Sequence, residues 1–523
     1  MTLSQKIGPP HSTLALESGS SVQTAIQDAA VRTGLNDPEL SELVRLDQDN
    51  SIELEALYRI LADQGNDGTL QDSVVSKIRS RIKEINQSKE ELKKRIEDKR
   101  PDFARLTTPR PISASDVRAA LGPSEVLLSI HSVEDRFISF SIDRNSIRYS
   151  VSDMTPEHAG ALVAKLRKTL DVADRGSRAP SFDFNSGLVL YEAFIKPHEE
   201  IFKGKRSLII STSSTLSQIP FSVLPTTNWT GKNYVDAPWL AKEIAISYSA
   251  SPSAWLATKR LAATRAGALP LLAWGDPSYK PRIDARRDDN VPALSKATRS
   301  ANIERASPLR DLANPVVDSV IYENLPPLPE TRDEVVALAK ALGANDATDL
   351  ILGKKATRKS VLDASQAGDL ANRSVVVFAT HGLIAGDLPN LSQPALAMAS
   401  TSAPDESPLL TLDDVLSLKL NADWVVLSAC NTAAADGRAG EALSGLARGF
   451  FYAGSRSLLV THWSVESRSA TLLTTETFKA YQADQKLTRA EALNRAVLSV
   501  MKMPEYRHPA FWAPYVLVGE GGR

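Results

Sequence analysis

One cysteine and seven histidines are the side chains of this sequence best suited to nucleophilic chemistry. The cysteine, Cys430, closes the run Asp423-Trp-Val-Val-Leu-Ser-Ala-Cys430 and leads into a small, polar, glycine-bearing loop. Free cysteine is among the most buried residue types and behaves as a small hydrophobe, so a structural thiol is one reading. Position supports the other. Trp424–Leu427 is short, apolar and β-branched between polar flanks, the pattern of a strand buried on both faces of a parallel sheet. Ligands of open α/β sheets bind outside the carboxyl ends of such strands, and Cys430 falls just past that end, whereas a core cysteine belongs inside the run.

A thiol of pKa about 8.5 is only a few per cent thiolate at about pH 7, so a nucleophilic cysteine needs a base. The histidines are His11, His131, His158, His198, His381, His462 and His508. His381 follows a second strand-like run, Ser374-Val-Val-Val-Phe-Ala-Thr380, and precedes Gly382. Two parallel strands that each deliver one reactive side chain at the carboxyl end bring imidazole and thiol together without proximity in sequence. The backbone N–H groups at Gly382 and Cys430 then serve as oxyanion-hole donors; the plainer role for Gly382 is a left-handed turn. His462, at the end of the apolar run Ser457–Thr461, is the rival base.

The elements that position these residues are legible around them. In Glu441–Tyr452, Leu443, Leu446, Ala447, Phe450 and Phe451 share one helical stripe, and Gly454 suits a left-handed C-cap. Ser457–Thr461 reads as the next strand, giving strand, loop, helix, strand. Thr488 with Glu491 forms a capping box before a helix ending near Met501, and Tyr515–Val518 is a last strand. Upstream, Glu125–His131 and Arg136–Asp143 alternate like a hairpin, while Ser207–Ser211 and Leu271–Trp274 read as buried strands.

Several strings together resemble the CHAT family of caspase-like proteins: FATHG (378–382), LSACNT (427–432), GEALSGLARGFFYAGSRSLLVTHW (440–463) and HPAFWAPYVLVG (508–519), with SLIISTSSTLSQIPFSVLP (207–225), WLAKEIAISYSASPSAWLA (239–257) and LPPLPETRDEV (325–335) upstream. The resemblance implies an α/β fold, caspase-like, with a mixed, mostly parallel sheet flanked by helices, and a pseudo-caspase half packed on an active one. It also implies a cysteine endopeptidase of the clan of caspases, separases and gingipains, with His381 and Cys430 as the dyad. The primary pocket of that clan is built beside the nucleophile and by the segment after the following strand, here Trp463-Ser-Val-Glu-Ser467. Glu466 there is an acid able to meet a basic P1 side chain, or simply a residue complementing the dipole of a helix over 467–481. Ser428 occupies the position, two before the cysteine, where some clan members carry a specificity aspartate. His508 and Trp512 match fold-completing residues. The competing function is a catalytically silent caspase-like scaffold that binds partners.

Composition bounds the rest. A hydrophobic fraction of 42% is ordinary for globular chains, and the net charge of −1 argues against broad affinity for nucleic acid or membrane surfaces. One cysteine forms no intramolecular disulfide, which fits a reducing compartment. Neither a signal peptide nor a membrane span is evident, so the expected location is cytoplasmic. A P-loop, an HExxH helix and a cysteine-rich metal site are all missing from the sequence, and no cofactor or metal is expected.

By composition, residues 1–20 are disordered and 21–100 form a helical hairpin of coiled-coil character. Apolar stripes run through Leu40, Leu43, Leu54, Leu57 and Leu61 and through Leu70, Val74, Ile78, Ile82, Ile85, Leu92 and Ile96. The turn lies at 63–68, and Pro101 ends the pair. No 34-residue tetratricopeptide period is visible. Residues 102–260 form the pseudo-caspase half and 261–523 the active half. Within the latter, 276–323 is a long polar segment, either an insertion or an activation loop with basic cleavage sites. The expected partners are a protein substrate and an activator acting on the N-terminal helices.

Overall fold

The computed structural model describes residues 38–67, 72–99, 112–170, 180–212, 214–262, 269–280, 322–383, 388, 391, 393–401, 407–428, 445–463 and 465–522. The expectations for residues 1–20, for most of the segment 276–323 and for Cys430 itself lie outside them.

Two long helices open the described chain, α1 (Pro38–Asp67) and α2 (Asp72–Lys99). Their stripes meet twice: Leu40, Leu43 and Val44 pack on Leu92 and Ile96, and Leu57 packs on Ile78 and Ile85. Early residues of one helix meet late residues of the other, which makes the pair antiparallel. The short helix α3 (Ala114–Ala120) follows, capped by Ser113 and Asp116.

An alternating hairpin comes next, β1 (Glu125–Val133) with β2 (Arg136–Ile142), continued by β3 (Ile147–Ser152). After α4 (Pro156–Leu170) and α5 (Phe184–Phe194) come β4 (Ser207–Thr212), β5 (Ala245–Ser249) and α6 (Pro252–Ala262). The second half adds β6 (Leu269–Gly275), α7 (Glu330–Leu342), β7 (Leu350–Leu352), α8 (Arg358–Gln366) and β8 (Arg373–Ala379). A small three-stranded sheet, β9 (Gly382–Leu383), β10 (Ala395–Ala397) and β11 (Leu409–Thr411), precedes α9 (Leu412–Ser417). Then come β12 (Trp424–Ser428), α10 (Gly445–Ala453), β13 (Ser457–Thr461), α11 (Ser467–Ala483), α12 (Arg489–Met501) and β14 (Tyr515–Gly519).

Eleven strands form one sheet in the order β3-β2-β1-β4-β5-β14-β13-β12-β8-β6-β7. The C-terminal strand β14 joins the halves. It is parallel to β5 and antiparallel to β13, so β7, β6, β8, β12 and β13 point one way and β14, β5, β4 and β1 the other. The central strands are apolar on both faces, as a sheet covered by helices on each side requires. Val375, Val377, Trp424 and Val426 face the core shared with α7, α11 and α12, while Val376, Phe378, Val425 and Leu427 face the core shared with α8, α9 and α10. The expected helix stripe is buried at Leu446, Ala447, Phe450 and Phe451. Gly454 ends α10 at φ +114°, where an added Cβ would stand 2.3 Å from the carbonyl oxygen of Leu420, so glycine is required there on two grounds.

Candidate active site

Strand register sets the site. β8 and β12 are adjacent and parallel, and Ala379, the last residue of β8, pairs with Ser428, the last of β12. His381 and Cys430 therefore each lie two residues beyond one matched pair.

His381 is half-buried at the turn into β9. Its Nε2 lies 2.8 Å from the carbonyl oxygen of Pro326. A carbonyl only accepts, so Nε2 carries the proton, and in the neutral ring Nδ1 is the basic nitrogen. The Tyr279 ring lies against the imidazole with centroids 5.5 Å apart, and the Tyr279 hydroxyl bonds Thr380 Oγ1 at 3.1 Å. The backbone behind it is fixed too: Ala397 N donates to His381 O at 2.9 Å, and β10 pairs with Gly382 and Leu383.

Beside this strand edge lies an open recess between β8, β12, β14, α7 and α11, with about 420 Å³ of unfilled space when the adjoining open solvent is included. Leu328, Val465, Ala470 and Tyr515 form much of its wall, Thr380 and Ser428 mark the strand ends, and Glu330 and Glu334 enter from α7. Glu334 is buried, 2% exposed. Its Oε2 accepts from Ser428 Oγ at 2.9 Å and its Oε1 from Thr474 Oγ1 at 3.0 Å. Ser428 has one proton to give, so the Tyr515 hydroxyl, 2.7 Å away, donates to Ser428 Oγ. Burial raises the Glu334 carboxyl to about 7 against the two hydroxyl bonds, with Glu330 pushing the same way.

The N-terminus of α7 is anchored to the end of β6. Arg332 Nε and Nη2 donate to Asp276 Oδ2 at 2.9 and 2.7 Å, and Asp276 N donates to Thr331 Oγ1 at 2.8 Å. An added Cβ at Gly275 would stand 3.2 Å from the backbone oxygen of Thr331, so the helix approaches the strand closely.

The other expected residues take distinct places. Trp463 is fully buried and its indole N–H donates to Ala510 O at 2.9 Å, and it is not among the residues that line the recess. Glu466 is the N-cap of α11: its two carboxylate oxygens accept from Arg468 N at 3.2 Å and Ser469 N at 2.8 Å. The rival base His462 is buried, desolvation with the nearby Arg167 lowers it to about 3, and its Nδ1 has no hydrogen-bond partner. Such a ring stays neutral near pH 7 and is poorly suited to shuttling protons. His508 Nδ1 caps the helical turn Pro509–Trp512 and Trp512 is buried, both in structural roles. No group of three or more potential metal-ligating side chains occurs among the described residues.

Sequence reasoning did not single out Glu334. A signal was present: with Thr331, Val335 and Leu338 it lies on the buried stripe of α7, where a carboxylate is out of place unless it is paired or neutral.

A large, mostly parallel sheet between helical layers, continuous across two halves, defines a mixed α/β protein. A profile of the CHAT domain matches residues 185–520, more than half of the chain, and the chain belongs to the CHAT domain family. Tetratricopeptide repeat protein 28 of Mus musculus is 25% identical over 240 residues, 40% of this chain, and the chain spans only 9% of the length of that relative. The Arg-specific cysteine proteinase gingipain R superposes over 70% of this chain and 74% of its own, with a TM-score of 0.37 and 10% identity. A chain of the Saccharomyces cerevisiae separase–securin complex superposes over 80% of this chain and 31% of its own, with a TM-score of 0.43 and 10% identity. Among the described residues no helix is long and apolar enough to cross a membrane.

Proposed function

We propose that this chain is a cysteine endopeptidase using Cys430 as nucleophile and His381 as acid and base. The observation that carries the proposal is the matched pair Ala379–Ser428 on adjacent parallel strands, with the two reactive residues equally far beyond it in the chain. The Cys430 thiolate attacks a peptide carbonyl, and the oxyanion is met by backbone N–H groups at Gly382 and Cys430. His381, carrying the thiol's proton, gives it to the leaving amine. A water then loses a proton to the imidazole and attacks the thioester, releasing the acid and restoring the thiol. The Pro326 carbonyl holds Nε2–H and so keeps Nδ1 as the atom that exchanges protons. The recess with Ser428 at its strand edge receives the P1 side chain, while Glu466, engaged as a helix cap, and the buried Trp463 shape the segment 463–467.

The test is covalent labelling of Cys430 by peptidyl acyloxymethyl ketones, comparing native protein, His381→Ala and denatured protein. Labelling that requires both the fold and His381 is expected. Equal labelling with and without His381 would remove the dyad, and the chain would then be read as a partner-binding scaffold.

A further inference from the structure

We infer that Glu334, reaching the recess from helix α7, is the residue that selects the P1 side chain, and that the recess takes the cationic side chain of arginine or lysine. The inference rests on the peptidase reading for the word P1, but its physical content, recognition of a cation by Glu334, stands on the recess alone.

Among the described residues, those lining the recess include two carboxylates and no lysine or arginine. Glu330 is half-buried and its Oε1 accepts from Ser467 Oγ at 2.6 Å, and Glu334, one helical turn further along α7, is buried. An apolar wall ending in a buried acid matches an arginine or lysine side chain in sequence: an aliphatic stem, then a cationic head. The carboxyl does not bury itself for stability. Its two protein partners are neutral hydroxyls, which compensate a buried negative charge only in part. A ligand cation completes the compensation.

Ser428, which touches Glu334, stands two positions before Cys430 in the chain. Tyr515 donates to Ser428, Ser428 donates to Glu334, and Ser428 is the last residue of β12. Ser428 therefore links the end of that strand to an acid delivered from another element, while Glu466 spends its oxygens on backbone N–H groups.

Charge at Glu334 depends on pH in the neutral range. Facing it are Glu330 on its own helix, Ser428 on β12, Thr474 on α11 and, through Ser428, Tyr515 on β14. Glu330 is the charged one among them, and it favours the protonated form. With its own proton affinity near 7, Glu334 is largely neutral at pH 6 and largely ionised at pH 8, so preference for a cation rises between those values.

The decisive measurement is calorimetric binding of benzamidine, a guanidinium mimic that needs no catalysis, to the full chain, Cys430→Ala, Glu334→Gln and Glu334→Asp at pH 6 and pH 8. Gln keeps the acceptor for Thr474 and a polar partner for Ser428, and thermal unfolding verifies that each variant folds. Binding to the full chain and to Cys430→Ala alike, stronger at pH 8, weakened about 10- to 100-fold by Gln and partly restored by Asp, is the expected result for a charge-assisted contact. Equal affinity in folded Glu334→Gln, or no binding to the full chain at pH 8, overturns the inference. A chain whose Cys430 resists every ketone yet binds benzamidine through Glu334 would lose the peptidase reading and keep this one.

Discussion

The two halves of the sheet are built alike and end differently. β4 and β5 of the first half, like β8 and β12 of the second, are apolar strands covered on both faces. The residues just past the strands separate the halves. Beyond β5, Ser251 Oγ accepts from Ala254 N at 3.0 Å and bonds Ser253 at 2.9 Å, so its hydroxyl is used at the start of α6. Beyond β8, the chain instead delivers His381, held by one carbonyl at a half-buried turn. The histidines make the same contrast. His198 of the first half is enclosed, with Ser139 at 2.7 Å from Nε2 and Ser141 at 2.8 Å from Nδ1, and burial lowers it to about 4. One architecture thus supports a structural imidazole in one half and a strand-end imidazole in the other, and chemistry depends on where the strand stops.

Exchanging histidines tests that contrast most severely. His381→Gln should slow labelling of Cys430 by about 10²- to 10⁴-fold, the usual contribution of a positioned proton-transfer group. His462→Gln removes a ring that remains neutral at pH 7 and should leave the rate within the same order of magnitude. Second-order inactivation rates by a P1-arginine ketone give both numbers. A large loss in His462→Gln with little in His381→Gln would shift the base from β8 to β13.

Glu334 sharpens the comparison through stability. Its carboxyl titrates near 7 in the folded chain and near the ordinary 4.5 when unfolded. Between those values the unfolded chain has released the proton and the folded chain still holds it, so stability falls as pH rises from about 4.5 to 7 and then levels. Gln does not titrate, so Glu334→Gln should gain on the parent across that window and stay ahead above it. At about 1.4 kcal/mol for each tenfold change in proton affinity, the gain is on the order of 3 kcal/mol. His198, His462 and His508 act oppositely: burial lowers each, so their contribution is lost as pH falls below about 6.5. Denaturant unfolding of both proteins from pH 5 to 8 cancels the histidines in the difference. A difference that does not change with pH would mean that Glu334 has an ordinary proton affinity.

Strands β4, β6, β8, β12 and β13 were legible in the sequence because a strand buried on both faces leaves a continuous apolar run, whereas β3, β5, β7 and the small sheet β9–β11 were not. Ser457–Thr461 matches its strand end to end, and Thr488 with Glu491 makes the capping box expected of it. The neighbourhood of His381 was legible for the same reason, since β8 and β12 are adjacent and in register. Partners brought together from distant segments were not. Pro326 lies 55 residues before His381, and Glu334 lies 94 before Ser428. Nor does periodicity show that β14 returns between β5 and β13 to join two oppositely directed strand sets. These are tertiary contacts, and local pattern does not encode which distant element arrives.

The N-terminal hairpin gives the subtlest difference between the halves. It precedes the first half in sequence, yet the contacts it makes here are with the second. Arg45, itself buried, donates from Nη2 to the carbonyl oxygens of Leu416 and Leu418 at 3.0 and 2.9 Å, Tyr452 of α10 donates to Asp49 at 2.7 Å, and Lys419 meets Glu42 at 3.3 Å. The last pair is exposed and adds little. The buried guanidinium is different, because hydrogen bonds from a charged donor contribute about 1.5–3 kcal/mol. Arg45→Ala should therefore loosen docking by about 2 kcal/mol, seen as faster amide exchange in α1 and α10 with β1, β4 and β5 unchanged. Because α10 begins at Gly445, fifteen positions after Cys430 in the chain, the same variant should alter the labelling rate of Cys430, and this makes the hairpin the natural place for an activator to act. Faster exchange in α1 alone, with α10 and the labelling rate unmoved, would reduce the hairpin to an appendage and leave regulation to be sought elsewhere.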